Sequence, residues 1–149
     1  MLKIAVVDDE IVFVESLINK ITAVCEKLNF EFKIDKYSNG FDILENYSKY
    51  HLIFLDIEMP SIDGIATAKR INKLKSSAEI PFIVYVTSHD ELVFDALKSF
   101  PYSFIRKSKI ESDLYECINR INNSFEELHK TIVLHTERTV SYTHLRAHE

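Results

Sequence analysis

The sequence predicts an α/β fold, a doubly wound parallel sheet covered on both faces by helices. Three observations carry that prediction. Short apolar runs alternate five times with helical patterns along the 149 residues, the order that builds parallel sheets. The inner runs are apolar throughout, as in strands buried on both faces. Each run beside the expected switch in strand order ends on a polar or charged group, where open sheets of this class bind ligands.

Leu2 to Val7 is apolar except for Lys3 and reads as a central strand. Phe13, Leu17, Ile21, Val24 and Leu28 recur every three or four residues, the stripe of an amphipathic helix. Phe30, Phe32 and Ile34 alternate with Glu31, Lys33 and Asp35, a half-buried strand that ends near Asn39-Gly40. Phe41, Leu44 and Tyr47 mark a short second helix, and Leu52 to Asp56 a third strand. Ile65, Ala68 and Ile71 carry a third helix after the Gly64 turn. Ile80 to Val86, rich in β-branched and aromatic residues, is the fourth strand. Leu92, Ala96 and Leu97 suggest a fourth helix, and Tyr102 to Arg106 a fifth strand. Ile110, Leu114, Ile118, Ile121, Phe125 and Leu128 make a long fifth helix.

Composition sets bounds on function. Apolar residues make up 46% and charged residues 28% of the chain, ordinary values for a globular domain. A net charge of −5 argues against a nucleic-acid grip by this segment itself. No apolar run approaches the ~18–20 residues of a membrane span, and MLKIAVVDDE enters a strand directly rather than forming a secretory signal. Two cysteines, Cys25 and Cys117, sit in helical patterns as small core side chains; a cytoplasmic protein without a disulfide scaffold is expected. The two Asn-x-Ser matches, at Asn46 and Asn122, carry no meaning in such a compartment.

The strand ends hold the chemistry. Asp8 and Asp9 follow the first strand, Asp56 ends the third, Thr87 and Ser88 follow the fourth and Lys107 follows the fifth. Singly, each has a plain structural role: Asp9 as a helix cap, Ser88 with Glu91 as a capping box, Lys107 as a solvated charge. Asp56 resists such a reading, because a fully apolar run leads into it. Together, three carboxylates in one crevice repel one another and call for an offsetting cation. Mg²⁺ suits oxygen ligands and uses one or two carboxylates plus a phosphate. No Cys or His nucleophile stands beside an acid. The set suits transfer of a phosphoryl group to a carboxylate, with Lys107 offsetting charge and the Thr87 hydroxyl donating to an oxygen.

The segments VVDDE, LDIEMPSIDGI, VTS and IRK, in this order at strand ends, resemble a bacterial two-component response-regulator receiver domain over about residues 1–126. The resemblance implies a flavodoxin-like (βα)5 fold with strand order 2-1-3-4-5. It implies that Asp56 is the phosphoacceptor, that Asp8, Asp9 and Asp56 bind Mg²⁺, and that the Glu58 backbone carbonyl completes the metal shell. Thr87 matches the switch hydroxyl, Lys107 the phosphate-binding lysine and Phe104 the aromatic switch position, beside its plain reading as a core phenylalanine. A sensor histidine kinase is the implied donor. A homodimer through the face of helix four, strand five and helix five is the implied assembly.

Receivers of this kind usually have proline after the lysine; here Ser108 follows. A cis bond before a non-proline residue costs ~2.5–4 kcal/mol, so the loop either carries that cost or runs trans. FIRKS is similar to receivers that precede LytTR-type DNA-binding domains, which implies transcription control through an output domain, with no membrane role. Two other readings stay open: an Mg²⁺-dependent phosphohydrolase with Asp56 as nucleophile, and a receiver-like module that works by binding alone. The expected role is that of a switch rather than an enzyme. Residues 127–149 read as a linker with the start of an output domain or a non-native tail. Thr131 to His135 reads as a short strand there, and Ser141 to Glu149 carries no functional inference. His144 and His148 have helical metal-ligand spacing, which carries little weight.

Overall fold

β1 (Leu2–Val7), β2 (Phe32–Tyr37), β3 (Leu52–Leu55), β4 (Phe82–Thr87) and β5 (Ser103–Arg106) form one sheet ordered β2-β1-β3-β4-β5, with every neighbouring pair parallel. This is the flavodoxin-like order expected of the fold, and its switch point lies between β1 and β3. The computed structural model describes residues 1–29, 31–75, 80–124 and 126–127. The expected strand at Thr131 to His135, both C-terminal histidines and the Ser141–Glu149 tail lie outside those residues, as does Phe30. The chain divides into two compact units, Met1–Tyr115 and Glu116–Glu149, and the first carries the whole sheet.

Burial follows position in the sheet. β3 and β4 are buried at every residue, and β1 at all but Lys3. The edge strands β2 and β5 are mostly half-exposed. Central parallel strands lose both faces to helices, so polar side chains there would lack partners. That is why the inner runs are unbroken hydrocarbon in the sequence.

The helices are α1 (Ile11–Lys27), α2 (Gly40–Asn46), α3 (Gly64–Leu74), α4 (Val93–Leu97) and α5 over residues 110–124. The buried stripe of α1 is Val14, Leu17, Ile21 and Cys25, so Phe13 is displaced from the expected core stripe and lies half-buried. In α2, Ile43 is buried whereas Phe41 faces out. Asn39 caps that helix, its side chain accepting from Asp42 N at 2.9 Å.

The bounds of β4 and helix four differ from those expected. β4 starts at Phe82 rather than Ile80, because Pro81 has no N–H for the ladder. It runs on to Thr87, which pairs with Arg106. Helix four is only five residues long, preceded by a 3-10 turn at Asp90–Leu92.

Candidate phosphoacceptor and metal site

The site begins at the last residues of β1 and β3, whose ends are in register at Val7 and Leu55. The next residue on each strand is an aspartate. Asp56 N donates to Val7 O at 2.9 Å and Asp8 N to Tyr37 O at 3.1 Å, so the ladder holds both backbones one residue beyond the strands. Their side chains enter the crevice nearly buried, Asp8 at 3% and Asp56 at 6% exposure. Asp9 is exposed and does not cap α1, whose N-cap is Glu10 without a side-chain bond. Instead the Asp8 carboxylate accepts from Glu10 N at 2.9 Å and fixes the turn.

The loop after Asp56 is anchored at alternate points. Ile57, Met59 and Ile62 are buried, whereas Glu58, Pro60, Ser61 and Asp63 are exposed. Ser61 has φ 71°, the left-handed region that an L-residue enters at a cost. Ile62 N donates to Pro60 O across it. Asp63 caps α3, accepting from Ala66 N at 2.8 Å. Gly64 N donates to Ile57 O, and a Cβ on Gly64 would lie 2.0 Å from the Asp56 carbonyl oxygen. Only glycine permits that approach of α3 to the end of β3.

Asp8, Asp9 and Asp56 each bring a carboxylate oxygen within 4.8 Å of the others. Lys107, from the 3-10 turn Lys107–Lys109 after β5, supplies the counter-charge: its Nζ lies 3.1 Å from Asp8 Oδ2 and 3.8 Å from Asp56 Oδ1. Among the described residues the cis peptide is Ile80–Pro81, so the bond after Lys107 is trans and Ser108 carries no cis penalty. One ammonium does not balance three carboxylates. Burial pushes the Asp56 carboxyl up to about 7, Asp8 and then Asp9 add to the rise, and Lys107 draws it partly back. Oxygen-only donors with surplus negative charge fit a hard divalent cation such as Mg²⁺.

Thr87 and Phe104 stand apart from this cluster. Thr87 is fully buried, and its hydroxyl oxygen accepts from His89 N at 3.1 Å; no hydrogen bond joins it to Asp56. Phe104 is half-buried, packed at the edge of the core with its ring centroid 6.3 Å from that of Tyr85. The Glu58 side chain turns to His89, with Oε2 2.9 Å from Nε2, and the other ring nitrogen of His89 meets Glu91 at 3.1 Å. This link between the loops after β3 and β4 has no periodic signature in the sequence. Phe13 was also missed as a site residue: Lys107 Nζ lies 4.1 Å from its ring centroid. Two adjacent apolar residues, Phe13 and Val14, were the available signal, since only one of them can face the core.

Comparison with known proteins identifies the family of the fold. A family model described as the response regulator receiver domain matches residues 4–119. The chain is 29% identical over 96 residues to MrkE of Klebsiella pneumoniae, covering 63% of this chain and 35% of that protein. It is 28% identical over 108 residues to the sensory transduction protein LytR of Staphylococcus saprophyticus, covering 71% of this chain and 41% of that protein. The chain thus spans less than half the length of these two relatives. It is also similar to the response regulator TrrA of Thermotoga maritima, whose structure is a complex with Mg²⁺ and BeF. There the identity is 30% and the TM-score 0.61, over 81% of this chain and 99% of that one.

Proposed function

The chain belongs to the response-regulator receiver family, and from that premise we propose that Asp56 accepts a phosphoryl group from a phosphohistidine on a sensor kinase. The observation that carries the proposal is the nearly buried Asp56 carboxylate, flanked by two acids and with the Lys107 ammonium 3.8 Å from its Oδ1. In the step, an Asp56 oxygen forms the new P–O bond as the P–N bond to the histidine breaks. Lys107 holds its positive charge where the phosphoryl oxygens arrive. The Thr87 hydroxyl exchanges its bond with His89 N for donation to one of those oxygens.

Asp8, Asp9, Asp56 and the Glu58 backbone carbonyl would hold Mg²⁺. When bound, the ion supplies the positive charge that keeps Asp56 ionised and offsets charge on the transferred group. The side chain of Glu58 is engaged by His89 and exposed, which speaks against its use as the acid/base of a phosphohydrolase. The chain therefore acts as a switch and not as an enzyme.

Phosphorylation of Asp56 exchanges a carboxylate of charge −1 for an acyl phosphate of charge about −2, a net gain of about one negative charge together with three strong acceptor oxygens. Movement of Thr87 and inward turning of Phe104 would transmit that change to α4 and β5. A homodimer through the face of α4, β5 and helix five follows as the proposed assembly. In this reading residues 1–126 form the receiver, and residues 127–149 are a linker with the start of an output domain or a non-native tail. That output, in a cytoplasmic protein, is transcription control through a LytTR-type DNA-binding domain outside this chain. Intact mass after incubation with acetyl phosphate and Mg²⁺ tests the central step. One labile phosphoryl adduct per chain is expected, and its absence overturns the reading.

A further inference from the structure

We infer that Phe13 is a positioning residue for the transfer to Asp56: its ring is the floor on which the Lys107 ammonium rests. The inference rests on the phosphoacceptor reading of Asp56 and adds to it a residue from α1.

Phe13 is not needed by the core of α1, whose buried stripe is Val14, Leu17, Ile21 and Cys25. It is half-buried, one helical step away, at the end of the helix nearest the acid pair. Its ring face receives Lys107 Nζ at 4.1 Å from the centroid, within the range of a cation–π contact. The same ammonium is 3.1 Å from Asp8 Oδ2 and 3.8 Å from Asp56 Oδ1. Ring and carboxylates thus all lie within contact range of the one ammonium, whose side chain is only 15% exposed.

Lys107 has a particular need for such a floor. Its stem has four rotatable bonds, and the residue after it is Ser108 on a trans peptide, in a single 3-10 turn. Proline's fixed φ is absent from that position. Lys107 also borders an open cleft of about 450 Å³ lined by Lys20, Lys109 and Glu111. The Glu111 carboxylate, 86% exposed and paired with Lys20 at 3.4 Å, is a second anion in that cleft. An ammonium released from the ring can swing towards it. The negative π-face holds the charge on the Asp8–Asp56 side and keeps water from one face of it, so the lysine is already in place when a phosphoryl group arrives.

Phe13→Leu keeps apolar bulk and removes the π-face, whereas Phe13→Tyr keeps both. At saturating Mg²⁺, Phe13→Leu should lower the rate of labelling by acetyl phosphate by about three- to tenfold, the size of an ordinary cation–π contact. Phe13→Tyr should restore it. Mg²⁺ affinity should stay within about twofold of wild type in both, because the floor acts on Lys107 and not on the carboxylates. Proton NMR supplies a second, phosphate-free readout. Ring-current shifts of the Lys107 methylene next to Nζ should appear in wild type and Phe13→Tyr and vanish in Phe13→Leu. Should Phe13→Leu fail to fold, Phe13→Met serves in its place. Wild-type labelling rates in a folded Leu variant, or failure of Tyr to restore them, overturn the inference. If wild type itself takes no label, the phosphoacceptor reading fails, and the methylene shifts still decide whether the ring holds Lys107.

Discussion

The two ends of the crevice are built on opposite terms. At the ends of β1 and β3, Asp8 and Asp56 are held by ladder bonds, a capped helix and a glycine that touches the Asp56 backbone, and Lys107 reaches them from the turn after β5. Geometry there is fixed while electrostatics is unfavourable, with three carboxylates against one ammonium. Beyond β4 the terms reverse. A 3-10 turn and a five-residue helix carry no buried charge cluster among the described residues, and Phe94, Leu97 and Phe100 are exposed at 80%, 51% and 87%. So short a helix gains little from its own hydrogen bonds.

The far end of that segment is nevertheless tethered. Ser99 shares a 2.5 Å hydrogen bond with the Tyr85 hydroxyl, donates to Ala96 O at 2.6 Å, and its carbonyl accepts from Asn72. The near end is held by Thr87 and His89. A site that performs chemistry needs atoms in place before the reaction, whereas a segment that reports it needs two arrangements of similar free energy. The fold separates those demands along neighbouring strand ends.

The sharpest way to break the contrast is to remove the charge at its centre. Asp56→Asn should abolish phosphoryl labelling while leaving the fold intact. The Asp56 carboxyl sits at about 7 in the folded chain against an ordinary 3.8. The metal-free protein therefore loses stability as pH rises from about 4 to about 7 and is level above that. Asn removes this slope, so thermal melts in chelator at pH 8 should show a gain of about 1–3 kcal/mol, with the lost Lys107 contact offsetting part of it. A mutant that melts lower than wild type at pH 8 would mean that the carboxylate is structural.

Geometry at the same end is tested by Gly64→Ala. The added Cβ meets backbone, which cannot rotate away. Denaturant unfolding should show a loss of about 2 kcal/mol or more, together with weaker Mg²⁺ binding as the Asp56 strand end shifts. Unchanged stability would show that α3 can retreat without disturbing Asp56.

At the end beyond β4, Ser99→Ala leaves the buried Tyr85 hydroxyl without its partner and should cost about 1–3 kcal/mol. Labelling of Asp56 should continue at the wild-type rate, since the change lies in the tether and not in the crevice. A matching loss of labelling would merge the two regions into one unit.

Thr87→Ala removes the acceptor of His89 N and should cost the least, about 0.5–2 kcal/mol, in line with loss of a capping hydroxyl. Its phosphorylated form should persist. The accompanying change in α4 and β5 amide signals should be lost, and a wild-type pattern would leave Thr87 as a cap only.

Much of this arrangement is written in local chemistry. The apolar runs at Leu2–Val7 and Leu52–Leu55 read as buried strands because hydrocarbon on both faces has one stable placement, inside a covered parallel sheet. The terminal positions of Asp8, Asp56 and Lys107 follow from where those runs stop. Tertiary structure alone decided how the side chains are partnered. Helical spacing assigned Phe13 to the core, yet Val14 took that place and turned Phe13 towards Lys107, which lies 94 residues away in the chain. Asp9 was positioned like a cap, but the strand-end geometry gave the Glu10 N–H to Asp8. The pairing of Glu58 with His89 joins two loops with no shared pattern. Periodicity reports which face of an element is buried; it carries no information on which distant group will meet the face that remains.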